Sequence, residues 1–278
     1  MEELPLPRPL VDAHVHLMPD RLFRAVWRYF AEHLWPIRYQ DTTEGLVATL
    51  RRELGVSRFV FMSYAHKAGV AAELNRWSAE TAARFPDSVP LATFHPGDPD
   101  VGRLADEAWL ELKLAGAKLH CQVGRFAPDD RRLFPVYERA CVLDKPIVFH
   151  VGRAPEGGEH LGPEPFARLL RAFPDLPAIV AHMGADEFEP FFALAERFPR
   201  VYLDTTLVYT DLLDWRPDPR RLVDLQDRLL FGSDFPDLPY PVRHGVDSLR
   251  RLGLGPEVEA KLFWRNANRL FQLGLAEA

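Results

Sequence analysis

Pro146-Ile147-Val148-Phe149-His150-Val151-Gly152 is an apolar run of strand length that ends on a histidine, with a glycine two residues further on. The same form returns at Ala178-Ile179-Val180-Ala181-His182-Met183-Gly184. Apolar runs without alternation are expected of strands buried on both faces, as parallel strands beneath a layer of helices are. Working outward, similar short runs occur at Leu10 to His16, Val56 to Tyr64, Val89 to His95, Gly116 to Cys121, Val201 to Thr206 and Leu229 to Phe235. Each is followed by Gly, Pro or Asp and then by a helix-like stretch. The eight starts lie 23 to 46 residues apart, close to the roughly 30 residues of a strand plus its crossover helix. Eight such units predict an α/β chain folded as a (β/α)8 TIM barrel, which commonly takes about 250 residues as a single domain. The 278 residues, 1–278, therefore read as one domain.

The segments between the runs agree. Gly69 to Phe85 sets Leu74, Trp77 and Phe85 among Ala and charged residues, and Asp130 to Leu143 opens on Asp pairs ahead of Phe134, Tyr137 and Cys141; both read as amphipathic helices. The longest gap, 17–55, holds Asp20 to Leu34 with Phe23, Trp27, Phe30 and Leu34 at helical spacing. It is expected to form an extra helical segment after strand 1, over the barrel mouth. Its aromatic face has two readings, core packing and substrate wall, of which core packing is the commoner fate.

Composition narrows the partners. With 47% hydrophobic and 27% charged residues the chain is globular, and a net charge of −6 with mixed signs provides no basic stripe to neutralise phosphates. No apolar run approaches the roughly 18 residues of a membrane span, and Met1-Glu2-Glu3-Leu4-Pro5 lacks the basic end and apolar stretch of a secretion signal. A cytoplasmic protein with a small-molecule substrate, no nucleic acid and no membrane partner is expected; a homo-oligomer is compatible with the sequence. Cys121 and Cys141 are not at Cys-x-x-Cys spacing and read as reduced thiols.

Five of the eight runs carry a ligand-type side chain near their C-terminal ends: His14 and His16, His120, His150, His182 and Asp234. Barrel active sites are built at that rim. Period-two alternation turns His14 and His16 to one face, and Gly232-Ser233-Asp234-Phe235-Pro236 adds a carboxylate. Three or four N and O donors with one position left open suit one catalytic divalent ion, zinc by preference. Lys118 and His120 share a face of the fourth run, and Arg153 stands three residues past His150, where it could fork a substrate carboxylate or simply lie on the surface. Asp12 is read as facing with His14, one layer deeper, orienting an imidazole or pairing within the barrel. Asp204 and Thr205 end the seventh run as rim hydrogen-bonders or turn residues. His33, His160 and His244 read as packing histidines, with His66 and His95 open.

From Val11-Asp12-Ala13-His14-Val15-His16 to Phe231-Gly232-Ser233-Asp234-Phe235-Pro236 the chain resembles the amidohydrolase superfamily, in its amidohydrolase-related branch with the aminocarboxymuconate-semialdehyde decarboxylase-like enzymes. The resemblance implies His14, His16, His150 and Asp234 as metal ligands. It also implies Asp234 as acceptor of the water proton, and His182 as the catalytic group that polarises substrate or water. Lys118-Leu119-His120 resembles the mononuclear members, so Lys118 and His120 are counted with Arg153 as substrate-binding candidates rather than as bridges to a second ion. The implied activity is metal-dependent hydrolysis of a small cyclic amide, ester or lactone, or of a carboxylated aromatic. The alternative is non-oxidative decarboxylation of an aromatic or enolic acid.

Overall fold

Val11–His16 (β1) is buried along its whole length, which removes any solvent face and leaves room only for strands and helices around it. In the computed structural model, which describes residues 4–153, 157–214 and 216–277, seven more strands follow: Arg58–Met62 (β2), Ser88–Thr93 (β3), Gly116–His120 (β4), Ile147–His150 (β5), Ala178–Val180 (β6), Val201–Asp204 (β7) and Leu229–Leu230 (β8). They run in sequence order and every neighbouring pair is parallel. The first and last strands meet through Ala13 N–H to the Phe231 carbonyl (2.8 Å), His16 N–H to the Phe235 carbonyl (2.7 Å) and a Val15 to Phe235 bridge. The expected eight-stranded α/β barrel is the observed fold.

Helices fill the crossovers. Asp20–His33 (α1) and Thr43–Leu54 (α2) follow β1, and Ala71–Arg84 (α3) follows β2. Val101–Asp106 (α4), continued by a π-turn over Glu107–Glu111, follows β3. After β4 come Cys121–Gly124 (α5) and Phe134–Leu143 (α6), then Pro163–Ala172 (α7) and Phe188–Arg197 (α8). Arg220–Asp224 (α9) precedes β8, and Arg243–Arg250 (α10), Pro256–Ala260 (α11) and Asn266–Phe271 (α12) end the chain. Local signals set these limits. α2 starts where the Thr42 hydroxyl accepts the Gly45 N–H and stops at Gly55 in the left-handed region (φ 55°). α3 is pinned to β3 by Asn75, whose amide donates to the Thr93 carbonyl (3.1 Å) and accepts the Thr93 N–H (2.7 Å).

Val11, Val60, Val89 and Leu230 from the strands form one buried cluster with Trp264 and Phe271, so the C-terminal helices close the end of the barrel away from the histidines. The open end is where the strands stop, and several stop sooner than the apolar runs suggest. β6 gives way at Ala181 to a tight turn in which His182 and Met183 both have φ 54°, and Asp234, beyond the two-residue β8, has φ 68°. L-residues rarely adopt this conformation, and it concentrates at functional sites. No helix among the described residues is long and apolar enough to cross a membrane. Both cysteines are free.

Candidate metal centre and cavity

β1 carries a register irregularity between Asp12 and Val15, and the imidazoles of His14 within it and His16 just past it converge, His14 Nε2 lying 3.2 Å from His16 Nε2. The far nitrogen of His14, Nδ1, is 2.8 Å from Asp204 Oδ2 at the end of β7, both groups buried. An ionised carboxylate only accepts, so Nδ1 carries the proton and Nε2 keeps a lone pair. Asp234 Oδ1 stands 3.4 Å from His14 Nε2 and 3.2 Å from His16 Nε2. Two imidazole nitrogens each about 2.0–2.1 Å from a tetrahedral zinc would be about 3.3–3.4 Å apart. The triangle His14 Nε2, His16 Nε2, Asp234 Oδ1 has that size. Although close to both nitrogens, Asp234 Oδ1 is buried and receives no well-directed hydrogen bond, and His16 Nδ1 is likewise unsatisfied. A buried anionic oxygen without a donor is costly unless a cation meets it. This donor set therefore fits a divalent ion.

His182 stands beside the triangle: one atom each of His14, His182 and Asp234 lie within 4.8 Å of one another. Its Nδ1 donates to the Thr206 carbonyl (3.2 Å) and its backbone N–H to Asp204 Oδ1 (2.8 Å), so its Nε2 is the lone-pair nitrogen. His182, expected as catalyst, is thus within ligand reach. His150, expected as ligand, belongs to no such group among the described residues. It pairs in register with His120 across β4 and β5, and the two rings stack at 4.1 Å, nearly parallel.

The electrostatics follow from burial. Burial, with the Lys118 charge, pulls His14 down to about 4, so the imidazole is neutral. Burial pushes Asp204 up, yet His14, His182 and Thr206 together hold its carboxyl below the usual range. Asp234 behaves alike, its burial outweighed by the close approach of His16 and by His182 and His14 around it. Lys118, fully buried with Nζ 3.2 Å from His14 Nε2, is pulled down to about 8 by burial, against the attraction of Asp204 and Asp234. Asp237, buried near Asp234, is pushed well above the carboxylate range by burial and by that neighbour's charge.

The centre opens into a cavity of about 510 Å³. His16, His120, His150, His182 and Asp234 form its polar end, and Tyr64, Gln122, Thr206 and Asp237 stand among its walls. Several expectations change here. Arg153 does not line the cavity. Its guanidinium is held by Glu187 and Glu164 (3.2 Å to the latter), carboxylates 34 and 11 residues further along the chain. Arg125, at the left-handed end of α5, is the guanidinium that does line it. Asp12 accepts the backbone N–H of His14 and of Ser233 and so ties β1 to β8; the group orienting the His14 ring is Asp204. Lys118 lies beneath the centre and is not part of the cavity wall. His66 lines the cavity, while His95 caps a turn through the Gly124 carbonyl (3.2 Å).

The helix over the mouth divides its apolar residues. Phe23 is in the core with Trp27 stacked on it (5.5 Å). Phe30 and Leu34, together with Leu22, Val26 and Tyr29, face the cavity. Core packing is thus correct for Phe23 and Trp27 and incorrect for Phe30 and Leu34. Leu22, Val26 and Tyr29 have a readable signal, a second apolar series at i, i+4, i+7 one step out of phase with the first.

A sequence model of the family described as Amidohydrolase matches residues 11–273. No curated protein matches the sequence at a significant level. Among solved structures, an uncharacterized TIM-barrel protein from Bordetella bronchiseptica superposes with a TM-score of 0.73 at 20% identity, over 95% of this chain and 98% of that one. A 5-carboxyvanillate decarboxylase from Sphingomonas paucimobilis gives 0.68 at 18% identity, over 96% and 99%. A candidate 2-pyrone-4,6-dicarboxylic acid hydrolase from Pseudomonas putida gives 0.65 at 19%, over 98% and 100%. Identities this low speak for the shared barrel alone.

Proposed function

The chain belongs to the amidohydrolase family, and from that premise we propose that it is a metal-dependent hydrolase opening an ester, lactone or amide of small-molecule size. The observation that carries this reading is the convergence of His14 Nε2, His16 Nε2 and Asp234 Oδ1, 3.2 to 3.4 Å apart, at one end of a cavity large enough for such a substrate. One ion per chain, zinc by preference, would be held by these three atoms with His150 as the further ligand. When bound, such an ion acidifies a water and polarises a carbonyl.

The chain's own groups do the rest. Asp204 keeps the His14 proton on Nδ1 and so keeps Nε2 free for ligation. Asp234, held ionised, accepts the proton of the attacking water and returns it to the leaving group. His182, its Nδ1 proton committed to Thr206, takes a proton from bulk water on Nε2, donates it as a hydrogen bond to the oxygen where charge develops, and returns it to bulk water when product leaves. Lys118, lowered to about 8 by burial, can lose its proton beside a cation and need not oppose one. Substrate contacts fall to His120 and Arg125 on the cavity wall.

The walls favour hydrolysis over decarboxylation of an aromatic acid. The cavity presents one guanidinium, Arg125, among its described lining residues, and Arg153 is neutralised by two glutamates. A carboxylated substrate would find little to grip. The metal-loaded enzyme, given a panel of lactones, esters and carboxylated aromatics, is expected to release acid without bicarbonate. Bicarbonate release from the aromatic acids, with no turnover of the others, overturns the hydrolase reading.

A further inference from the structure

α1 turns part of its apolar surface to the cavity. Phe23 and Trp27 secure one edge of the helix to the core, whereas Leu22, Val26, Tyr29 and Phe30 look into the cavity that contains His16, His182 and Asp234. These four fall at i, i+4, i+7 and i+8, one continuous helical stripe. Leu34, Trp35 and, from the opposite rim, Val123, Leu207 and Leu213 extend the same apolar surface. Tyr29 is 41% exposed and Phe30 is half-buried, so this surface is still open to solvent. Beyond the histidine end, the polar groups among the described lining residues include Tyr64, His66, Gln122, Thr206, Asp237 and a single guanidinium, Arg125.

We propose that the substrate is an uncharged amphiphile, with its ester, lactone or amide group at the histidine end and an apolar chain or aryl body laid along α1. The reacting end of this proposal rests on the hydrolase reading above; the apolar end rests on the wall alone. The stripe from Leu22 to Phe30 is about 12 Å long at 1.5 Å per residue, which matches an extended chain of roughly eight to ten carbon atoms. A cavity of about 510 Å³ is in the range that takes a ligand of that size. The expectation of a small substrate beneath a covering helix is enlarged accordingly: the helix is a wall that the substrate lies against.

The test separates binding from turnover. Metal-loaded protein is titrated with 1-butanol, 1-hexanol, 1-octanol and 1-decanol by tryptophan fluorescence, and in parallel assayed on methyl esters and lactones of the same chain lengths. Affinity for the alcohols, and kcat/KM wherever turnover occurs, should rise about fourfold per added methylene up to about ten carbons and then level, a factor equivalent to about 0.8 kcal/mol per CH2. Tyr29→Gln and Phe30→Gln, at an exposed and a half-buried position of the cavity stripe, should flatten the rise while leaving the unfolding transition and the metal content of the protein unchanged. Alcohol affinity independent of chain length in the wild type overturns the proposal, as does a rise that both variants retain. A normal length dependence of alcohol binding without any ester or lactone hydrolysis supports the apolar wall and overturns the hydrolase reading instead.

Discussion

Asp204→Asn changes one atom, and the structure says which nitrogen of His14 will respond. Asp204 accepts three hydrogen bonds: His14 Nδ1 on Oδ2 at 2.8 Å, and the N–H groups of His182 (2.8 Å) and Thr206 (3.2 Å) on Oδ1. An amide can keep its oxygen on the two backbone N–H groups, which places its NH2 against His14 Nδ1. The flipped amide serves His14 but sets its NH2 against two buried donors, at about 1–3 kcal/mol for each left unsatisfied. The first arrangement therefore wins, and His14 meets the new donor by moving its proton from Nδ1 to Nε2. That nitrogen is the one facing His16 and Asp234, so the ion loses a ligand.

Removal of such an orienting partner typically costs 10- to 100-fold in metal affinity. Because the shifted proton blocks the ligating atom itself, the upper end is expected, about a hundredfold or about 2.7 kcal/mol. Competition against a chelator of known affinity measures it, and the nitrogen-15 shifts of the His14 ring in the apo variant report the tautomer directly. Ion affinity within twofold of the wild type, or an Nδ1–H tautomer persisting in the variant, refutes the reasoning and reduces Asp204 to a packing residue.

Elemental analysis of the purified protein should find about one divalent ion per chain, zinc by preference; two tightly held ions would replace the mononuclear assignment. His182→Asn should keep that ion while lowering kcat by roughly a hundredfold or more, the loss that removal of a donor worth about 3–4 kcal/mol implies. His150→Asn should lose the ion. Loss of the ion from the His182 variant alone would make His182, already within 4.8 Å of His14 and Asp234, the ligand. Arg153→Ala should leave KM unchanged and cost no more than about 1 kcal/mol in denaturant unfolding, since its ion pairs are partly solvent-exposed; a large rise in KM would return Arg153 to the cavity.

The barrel was readable because a strand such as Ile147–His150, buried on both faces, must be apolar at every position, and residue type alone records that. The ends of the strands were not readable in the same way. Ala181, Met183 and Phe235 carry the apolar character of the strands past their ends, and nothing in the composition announces that His182 and Asp234 turn to positive φ. The donor types were legible for the same reason as the strands, since imidazoles at the end of apolar runs have little else to do there. Their partition was not. His120 and His150 sit in register on adjacent strands, and a sequence gives two equivalent histidines without saying which ring stacks on the other. Arg153 and Arg125 pose the same difficulty, because both follow a strand closely, and what distinguishes them is a pair of glutamates that the chain brings in from α7 and from the residue before α8.

The placement of α1 separates chemistry from selection. The donors sit at or just beyond the ends of strands, which neighbouring strands hold on both sides, so their spacing is set by the barrel and tolerates little change. The apolar wall sits on a helix inserted after β1 and fixed to the core along one edge, by Phe23 and Trp27. Substitution on the cavity stripe alters what lies beside the centre without moving a ligand. Substitution at Phe23, by contrast, loosens the helix itself, because a fully buried Phe side chain replaced by Ala costs about 3–5 kcal/mol and removes its main anchor in the core. Selectivity can therefore drift along one face of α1 while the donors at the strand ends stay fixed, since function lives in sites carried on a fold rather than in the fold itself.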